Sequence, residues 1–305
     1  MKHLLSIEAL TGQEIDRLIT LAIRMKAERG RHSAQPLAGQ CWGLIFSKSS
    51  TRTRVSFEVG IRELGGDVMF LSSTDIQLGR GELIKDTARV LGRLLGGAVI
   101  RTFAQQDVEQ FAEYSGIPTI NALTDDEHPC QILADLQTIK EKLGDYAGRK
   151  VCFVGDGACN VPRSWIWAAA KCGFELTIAA PENYQPDPAL LAAVNSPNIR
   201  VTADLEDAAR GADVLYTDVW VSMGKEDEAA FRIAQMGSYQ INSALVSIAA
   251  PGALVMHCLP AYREKEITDE VFEQHAQTIF DEAENRLHAQ KAVLWLLHEG
   301  RQSPG

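Results

Sequence analysis

Residues 41–64 read CWGLIFSKSSTRTRVSFEVGIREL. The opening run, Cys41 to Phe46, is apolar and of strand length. A polar segment, Ser47 to Arg54, follows, and Phe57, Ile61 and Leu64 then fall on one stripe of a helix over 50–64. A strand buried on both faces reads as a continuous apolar run, and such strands belong to parallel sheets whose crossovers are helices. The stretch therefore predicts one strand–loop–helix unit of a parallel α/β sheet.

The same rhythm extends in both directions. Upstream, Thr11-Gly12-Gln13-Glu14 has the capping-box pattern, and Ile15, Leu18, Ala22 and Met25 share one face of a helix over 11–28. Downstream, strands are expected at 67–71, 98–103 and 118–121, with helices over 82–95 and 130–143. The alternation restarts at Lys150. Strands are expected at 150–154, 175–180, 199–202, 213–217 and 253–257, with a helix near 161–172 and a last helix over 283–299. The turn region Gly144-Asp145-Tyr146-Ala147-Gly148 is the expected boundary between two parallel-sheet α/β domains. Ligands of such sheets gather beyond the carboxyl ends of the strands. The unusual polar residues follow strand ends in both halves, so an active-site cleft between the domains is expected.

The composition is that of a globular chain of about two domains. It has 305 residues, 46% hydrophobic and 23% charged, with a formal net charge of −10. That acidity argues against nucleic acid, whose phosphates require clustered Lys and Arg, yet a few arginines in one cleft still suit a small anion. No stretch is long and apolar enough for a membrane span, and the first residues lack the pattern of a signal peptide. The six cysteines, Cys41, Cys130, Cys152, Cys159, Cys172 and Cys258, are scattered without a C-x-x-C pair. They read as reduced thiols of a cytoplasmic protein, with neither a disulfide framework nor a metal site.

Ser50-Thr51-Arg52-Thr53-Arg54 lies where a strand gives way to a helix. Unpaired N–H groups and the positive end of the helix dipole suit a phosphate there. The hydroxyls add donors, and Arg52 adds a planar fork. An N-capped helix with solvated arginines is the plainer alternative. The segment is not a Walker loop, since it lacks the glycines and the Lys-Ser/Thr pair. Arg101 ends the apolar strand Ala98-Val99-Ile100, where a surface ion pair is less expected. His128-Pro129-Cys130-Gln131 opens the next helix, with Pro129 suited to the first turn. His128 and Gln131 are spaced to face the same way. A lone histidine is more often structural, but beside arginines its N–H polarises a carbonyl.

Ser-Thr-Arg-Thr-Arg followed by His-Pro-x-Gln, with Asp86-Thr87-Ala88-Arg89-Val90-Leu91 between them, resembles the carbamoyl-phosphate signature of the aspartate and ornithine carbamoyltransferases. The resemblance runs from about Leu4 to Leu297. It implies that residues 1–145 bind carbamoyl phosphate, that a C-terminal helix, 286–305, packs back onto them, and that 146–285 bind the acceptor. Ser50, Thr51, Arg52 and Thr53 would hold the phosphate. Arg101 would bridge phosphate and carbonyl oxygen, and His128 and Gln131 would hold the carbamoyl end. Arg286, in Glu284-Asn285-Arg286-Leu287, would reach back to the same ligand. Gln77 matches a polar residue that completes a neighbouring subunit's pocket, which implies a homotrimer or a higher assembly of trimers.

The acceptor half is similar to that of the ornithine-specific members. Asp218-Val219-Trp220-Val221-Ser222-Met223-Gly224 resembles their ornithine-binding loop, and Asp218, Ser222 and Met223 would contact L-ornithine. A strand-end acid and a loop are the plainer reading. Gly224 would let the segment close. In His257-Cys258-Leu259-Pro260, Cys258 and Leu259 would line the join between the two substrates, although an isolated buried cysteine is usually inert packing. Gly155-Asp156-Gly157 lacks the third glycine of a dinucleotide fingerprint. The family instead places two asparagines after this turn, and the second, Asn160, would bind the amino-acid end of ornithine. Cys159 stands for the first. Arg163, and Tyr262 in place of a common histidine, are further departures.

The resemblance thus implies transfer of the carbamoyl group from carbamoyl phosphate to the side-chain amine of L-ornithine, giving L-citrulline and phosphate. Arg52, Arg101, His128, Asp218 and Cys258 would be the catalytic residues, and no cofactor or metal would take part. The step belongs to arginine and ornithine metabolism, and one site serves either direction. The alternatives are another amine acceptor such as putrescine or N-acetylornithine, a silent regulatory relative, and a nicotinamide enzyme built on Gly155-Asp156-Gly157.

Overall fold

The computed structural model describes residues 1–72, 81–221 and 226–302. The chain divides into two compact units, Met1–Gln137 with Glu284–Gly305, and Thr138–Ala283.

The first unit begins with α1 (Gly12–Ala27), β1 (Cys41–Phe46), α2 (Thr51–Glu63), β2 (Asp67–Ser72), α3 (Ile84–Leu91), β3 (Gly97–Arg101), α4 (Gln105–Ser115), β4 (Thr119–Leu123) and α5 (Pro129–Leu143), whose last residues belong to the second unit. The capping box at α1 is formed: Glu14 N–H donates to Thr11 Oγ1 at 3.2 Å, and Thr11 N–H donates to Glu14 Oε2 at 2.9 Å. The four strands are parallel, in the order β2-β1-β3-β4. The outer edge of β4 is covered by the N-terminal segment. Leu4 N–H donates to Thr119 O at 3.0 Å, and Asn121 N–H donates to Leu4 O at 2.7 Å. That pairing removes an exposed strand edge. Ile45, Ala98 and Ile100 from the sheet pack with Ala88 of α3, Val108 and Phe111 of α4, and Leu95 and Ile117. Helix α3 is shorter than the expected 82–95. The helix ends at Leu91, and at Gly92 a Cβ would lie 1.9 Å from Ser115 O, so only glycine fits where α3 meets the end of α4.

The second unit continues with β5 (Lys150–Val154), α6 (Asn160–Cys172), β6 (Glu175–Ala179), α7 (Pro188–Val194), β7 (Ile199–Thr202), α8 (Leu205–Ala209), β8 (Val214–Thr217), α9 (Ala229–Met236), α10 (Ser243–Ile248), β9 (Leu254–His257) and α11 (Asp269–Gln274). Its five strands are also parallel, in the order β7-β6-β5-β8-β9. The expected fold, two parallel-sheet α/β domains, is therefore present. Trp165 of α6 is fully buried, edge-on to Phe174 at 5.5 Å and to Tyr216 of β8 at 5.3 Å. The last helix, α12 (Ala276–Gln302), starts seven residues before the expected 283 and carries the chain back into the first unit. There it buries Leu287, Val293, Leu294 and Leu297.

Each strand order reverses once. In the first sheet the chain turns outward from β1 to β2 and then returns to the other side of β1 as β3. In the second it winds outward from β5 through β6 and β7 and returns beside β5 as β8. The ends of adjacent strands diverge at such reversals and leave a crevice for a ligand. The strand pairs that matter are β1 with β3, where Phe46 pairs with Arg101, and β5 with β8, where Val154 pairs with Thr217.

Candidate active site

The first crevice is lined by the start of α2. Ser50 is its N-cap, in extended conformation, and Ser50 Oγ accepts from Thr53 N–H at 3.3 Å. Thr51 and Arg52 are exposed, and Thr53 is buried. Arg101 ends β3 and is 7% exposed. The register against β4 shifts between Ile100 and Arg101, an irregularity that re-aims the strand-end side chain. Backbone pairing ties the two strand ends together, with Ser47 N–H donating to Arg101 O at 2.8 Å.

Helix α5 supplies the floor. His128 lies just before it and Gln131 in its first turn, both buried. From α12, Arg286 donates to Gln131 Oε1 at 2.6 Å and to Thr53 Oγ1 at 3.1 Å. One guanidinium fork therefore joins the start of α2 to the start of α5. Gln131 Nε2 also donates to buried Asp135 at 2.8 Å, which fixes its amide with the oxygen toward the arginine. Burial, and then the charges of Arg286 and Arg101, hold the His128 imidazole well below its ordinary pKa. It stays a neutral N–H donor among cations. In chemical terms this is a concentrated, buried positive site with neutral hydrogen-bond donors, suited to a phosphorylated carbonyl compound.

The second crevice holds Asp218, one residue beyond β8. Its Oδ1 accepts from Val219 N–H at 2.7 Å and from Cys258 Sγ at 2.9 Å. Burial is the largest influence on the Asp218 carboxyl and raises its pKa. Cys258 follows the end of β9, and Leu259 beside it has a left-handed backbone, φ 57°. A branched residue in that region is strained, and such strain concentrates at functional sites. On the β5 side, Cys159 caps α6 without a side-chain capping bond, and its Sγ donates to Asp156 O at 3.2 Å. Asn160 occupies the first helical position. Asp156 is buried against Arg232 of α9, at 2.7 Å. Gly157 is required by packing: a Cβ there would lie 2.8 Å from Ile178 Cγ2 and 3.0 Å from Tyr184 O. The Gly-x-Gly pattern thus has a reason unrelated to a dinucleotide.

Thr53, Arg101, His128, Gln131 and Arg286 gather in the first unit, with Ser50, Thr51 and Arg52 at the start of α2. Asp218, Cys258, Leu259 and Asn160 follow the ends of β8, β9 and β5 in the second. Gln77, Ser222 and Met223 lie outside the described residues. Tyr262 is exposed, with Lys265 Nζ 4.8 Å from its ring centroid. Sequence reasoning missed Lys48, which is buried, bonded to Asp125 and 4.3 Å from the Phe103 ring centroid. Its place just before the phosphate-like segment was the available signal. It also missed Glu266, fully buried beside His257, whose surroundings in sequence resemble any solvated charge run.

One group among the described residues has a composition that suits a cation: Asp218, His257 and Cys258, with ligand atoms all within 4.8 Å of one another. Both ring nitrogens of His257 are engaged inside the protein, however, Nδ1 by Leu259 N–H at 2.9 Å and Nε2 by Glu266 at 3.1 Å. The six cysteines form no disulfide. No helix among the described residues is long and apolar enough to cross a membrane.

Comparison with known proteins agrees over the full length. Residues 2–141 match the carbamoyl-P binding domain of the aspartate/ornithine carbamoyltransferases, and residues 147–297 match their Asp/Orn binding domain. A protein of Akkermansia muciniphila named ornithine carbamoyltransferase is 60% identical, over 99% of this chain and 100% of its own length. The solved ornithine carbamoyltransferase of Pyrococcus furiosus is 43% identical with a TM-score of 0.92, covering 98% of this chain and 97% of its own. The anabolic ornithine carbamoyltransferase of Campylobacter jejuni gives 41% and 0.92, covering 99% and 100%. On both domains and along its whole length, this chain belongs to the aspartate/ornithine carbamoyltransferase family.

Proposed function

We propose that the chain transfers the carbamoyl group of carbamoyl phosphate to the side-chain amine of L-ornithine, giving L-citrulline and phosphate. The observation that carries this reading is the Arg286 fork between Thr53 and Gln131, set among buried Arg101 and neutral His128. The names of the relatives support L-ornithine as acceptor. Carbamoyl phosphate binds with its phosphate on Ser50, Thr51, Arg52 and Thr53, its carbonyl oxygen toward Arg101 and His128, and its amide toward Gln131, Cys258 and Leu259. Ornithine binds with its amino-acid end on Asn160, Ser222 and Met223 and its side-chain amine against Asp218.

An alkylammonium group has an unperturbed pKa of about 10.4, so the amine must shed a proton before it attacks. Asp218 attracts and orients the ammonium, and a carboxylate made more basic by burial takes that proton. The freed nitrogen attacks the carbonyl carbon and forms a tetrahedral oxyanion. Thr53, Arg101 and His128 donate to the oxyanion, and each preorganised donor of this kind contributes roughly 3–4 kcal/mol. The C–O bond to phosphate breaks, and the departing phosphate takes the second nitrogen proton. No step calls for a cofactor or a metal.

The same reading assigns carbamoyl phosphate to residues 1–145, with the C-terminal helix, and ornithine to 146–285. It makes a homotrimer the smallest competent unit, completed by Gln77, and places the reaction in the cytoplasm within arginine biosynthesis. The test is citrulline formation from carbamoyl phosphate with L-ornithine, putrescine, L-aspartate and N-acetyl-L-ornithine in parallel. Selective use of L-ornithine is expected. Preference for another amine overturns the acceptor assignment, and no turnover by folded protein overturns the activity.

A further inference from the structure

His257 and Glu266 are both fully buried, and neither is needed for the proposed chemistry. Two buried ionisable groups are costly to keep unless they organise something. Their bonds show what they organise. Glu266 Oε1 faces His257 Nε2 at 3.1 Å and also accepts from Tyr262 N–H at 2.6 Å. His257 Nδ1 accepts from Leu259 N–H at 2.9 Å. A backbone N–H can only donate, so Nδ1 carries no proton and the ring proton resides on Nε2, directed at the Glu266 carboxylate. The histidine backbone is anchored independently. Its N–H donates to Glu282 Oε2 at 2.9 Å, and Glu282, itself fully buried, lies 3.5 Å from the Tyr216 hydroxyl. The outcome of the network is a short loop with Leu259 at φ 57° and Cys258 Sγ 2.9 Å from Asp218.

We propose that the buried His257–Glu266 pair is the positioning device of the Cys258–Leu259 segment at the join of the two substrates. Glu266 selects the His257 tautomer whose bare Nδ1 captures Leu259 N–H. That bond holds Leu259 in its left-handed conformation and sets Cys258 against Asp218. His257 and Glu266 touch no reacting atom; they act through the Cys258–Leu259 segment. The inference rests on the reading of Asp218 as an acceptor-site residue and of Cys258 and Leu259 as lining the join between the two substrates.

The test has two independent arms. In the first, the ring nitrogens of the unmodified full-length protein, labelled with 15N-histidine, are observed by NMR. His257 is expected to show a bare Nδ1 and a protonated Nε2; a protonated Nδ1 overturns the proposal whatever the protein's activity. The second arm compares His257→Asn with His257→Gln. An asparagine oxygen replaces the Nδ1 acceptor, whereas a glutamine amide replaces only the Nε2 donor. With L-ornithine varied at saturating carbamoyl phosphate, His257→Asn is expected to exceed His257→Gln in kcat/KM by about tenfold or more, since small misplacements near reacting groups cost about that much or more. Because Cys258 and Leu259 also face the carbamoyl amide, the KM for carbamoyl phosphate is expected to rise in His257→Gln more than in His257→Asn. Equal losses in the two variants, or a greater loss in His257→Asn, overturn the proposal. Turnover by the unmodified protein tests the functional reading by itself, so the two can fail separately.

Discussion

Arg286 donates a 2.6 Å hydrogen bond to Oε1 of Gln131, a residue 155 positions earlier in the chain. The other arm of the same guanidinium reaches Thr53, 233 positions earlier. Lysine carries the charge but has no planar fork, so it cannot hold both oxygens in this geometry. Arg286→Lys is expected to lower kcat/KM for carbamoyl phosphate by roughly 10²–10³ with the fold intact, the loss typical of a misplaced anion-site donor. Steady-state kinetics with circular dichroism as a folding control decide it. A loss under about threefold would remove Arg286 from the anion site.

His128 gives a pH prediction. Its pKa is depressed in the folded protein, while the unfolded chain has the ordinary value of 6.5. Between those two values the unfolded state binds a proton that the folded state does not, so stability falls as pH drops below 6.5. The loss levels off once pH passes the depressed folded value. Urea unfolding from about pH 8 to about pH 5 is expected to show a steeper decline for the native chain than for His128→Gln. Parallel profiles would contradict the depressed value.

Burial pushes the thiols of Cys130 and Cys152 each up to about 12, and that of Cys159 well above 9.0. The thiolate is the reactive form, so all three are expected to resist iodoacetamide at about pH 8 while the protein is folded. Peptide mass spectrometry after labelling with and without urea reads this directly. Rapid native labelling of Cys130 or Cys152 would show that their surroundings open far more than this packing permits.

Gly157→Ala tests the packing explanation of the Gly-x-Gly turn. Its Cβ would fall 2.8 Å from Ile178 Cγ2. Overpacking of this kind costs about 1–3 kcal/mol. A lower Tm is expected, together with a raised KM for ornithine and little change in that for carbamoyl phosphate, because the turn carries Asp156 and Asn160. An unchanged Tm would mean that the neighbours yield freely.

Most strands were legible because each is a short apolar run. The run 150–154 is β5, and 199–202 is β7, without adjustment. Helix ends were less so, since they depend on contacts distant in sequence. Gly92, the cap of α3, leaves no room for a Cβ because Ser115 O is close, and nothing near Gly92 in sequence says that. Ser50 to Thr53 and Arg101 stood out as polar residues at or beyond apolar strand ends, whereas Arg286 was reached only through the family resemblance; the chain brings Thr53, Gln131 and Arg286 into contact. Glu266 and Arg232 were not legible. Their importance arises from buried partners 9 and 76 positions away, and a charged side chain in a helical or polar stretch normally signals solvent. The strand irregularity at Arg101 is likewise a tertiary fact, with no marker in Ala98-Val99-Ile100.

The course of α12 has a consequence for synthesis. The first unit ends with Gln137 and resumes only at Glu284. The resumed stretch supplies Arg286, whose fork joins α2 to α5, and Asn285, which accepts from Gln137 at 3.1 Å and Lys26 at 2.7 Å. It also supplies Lys291, 2.6 Å from Glu63, and the buried side chains of Leu287, Val293, Leu294, Leu296 and Leu297. A chain leaving the ribosome from its N-terminus exposes the second unit whole before any of these groups emerge. Domains generally fold in the order they are made, but here the unit begun first is finished last. A chain truncated and released short of Glu284 would contain the whole second unit but a first unit that still lacks part of its core.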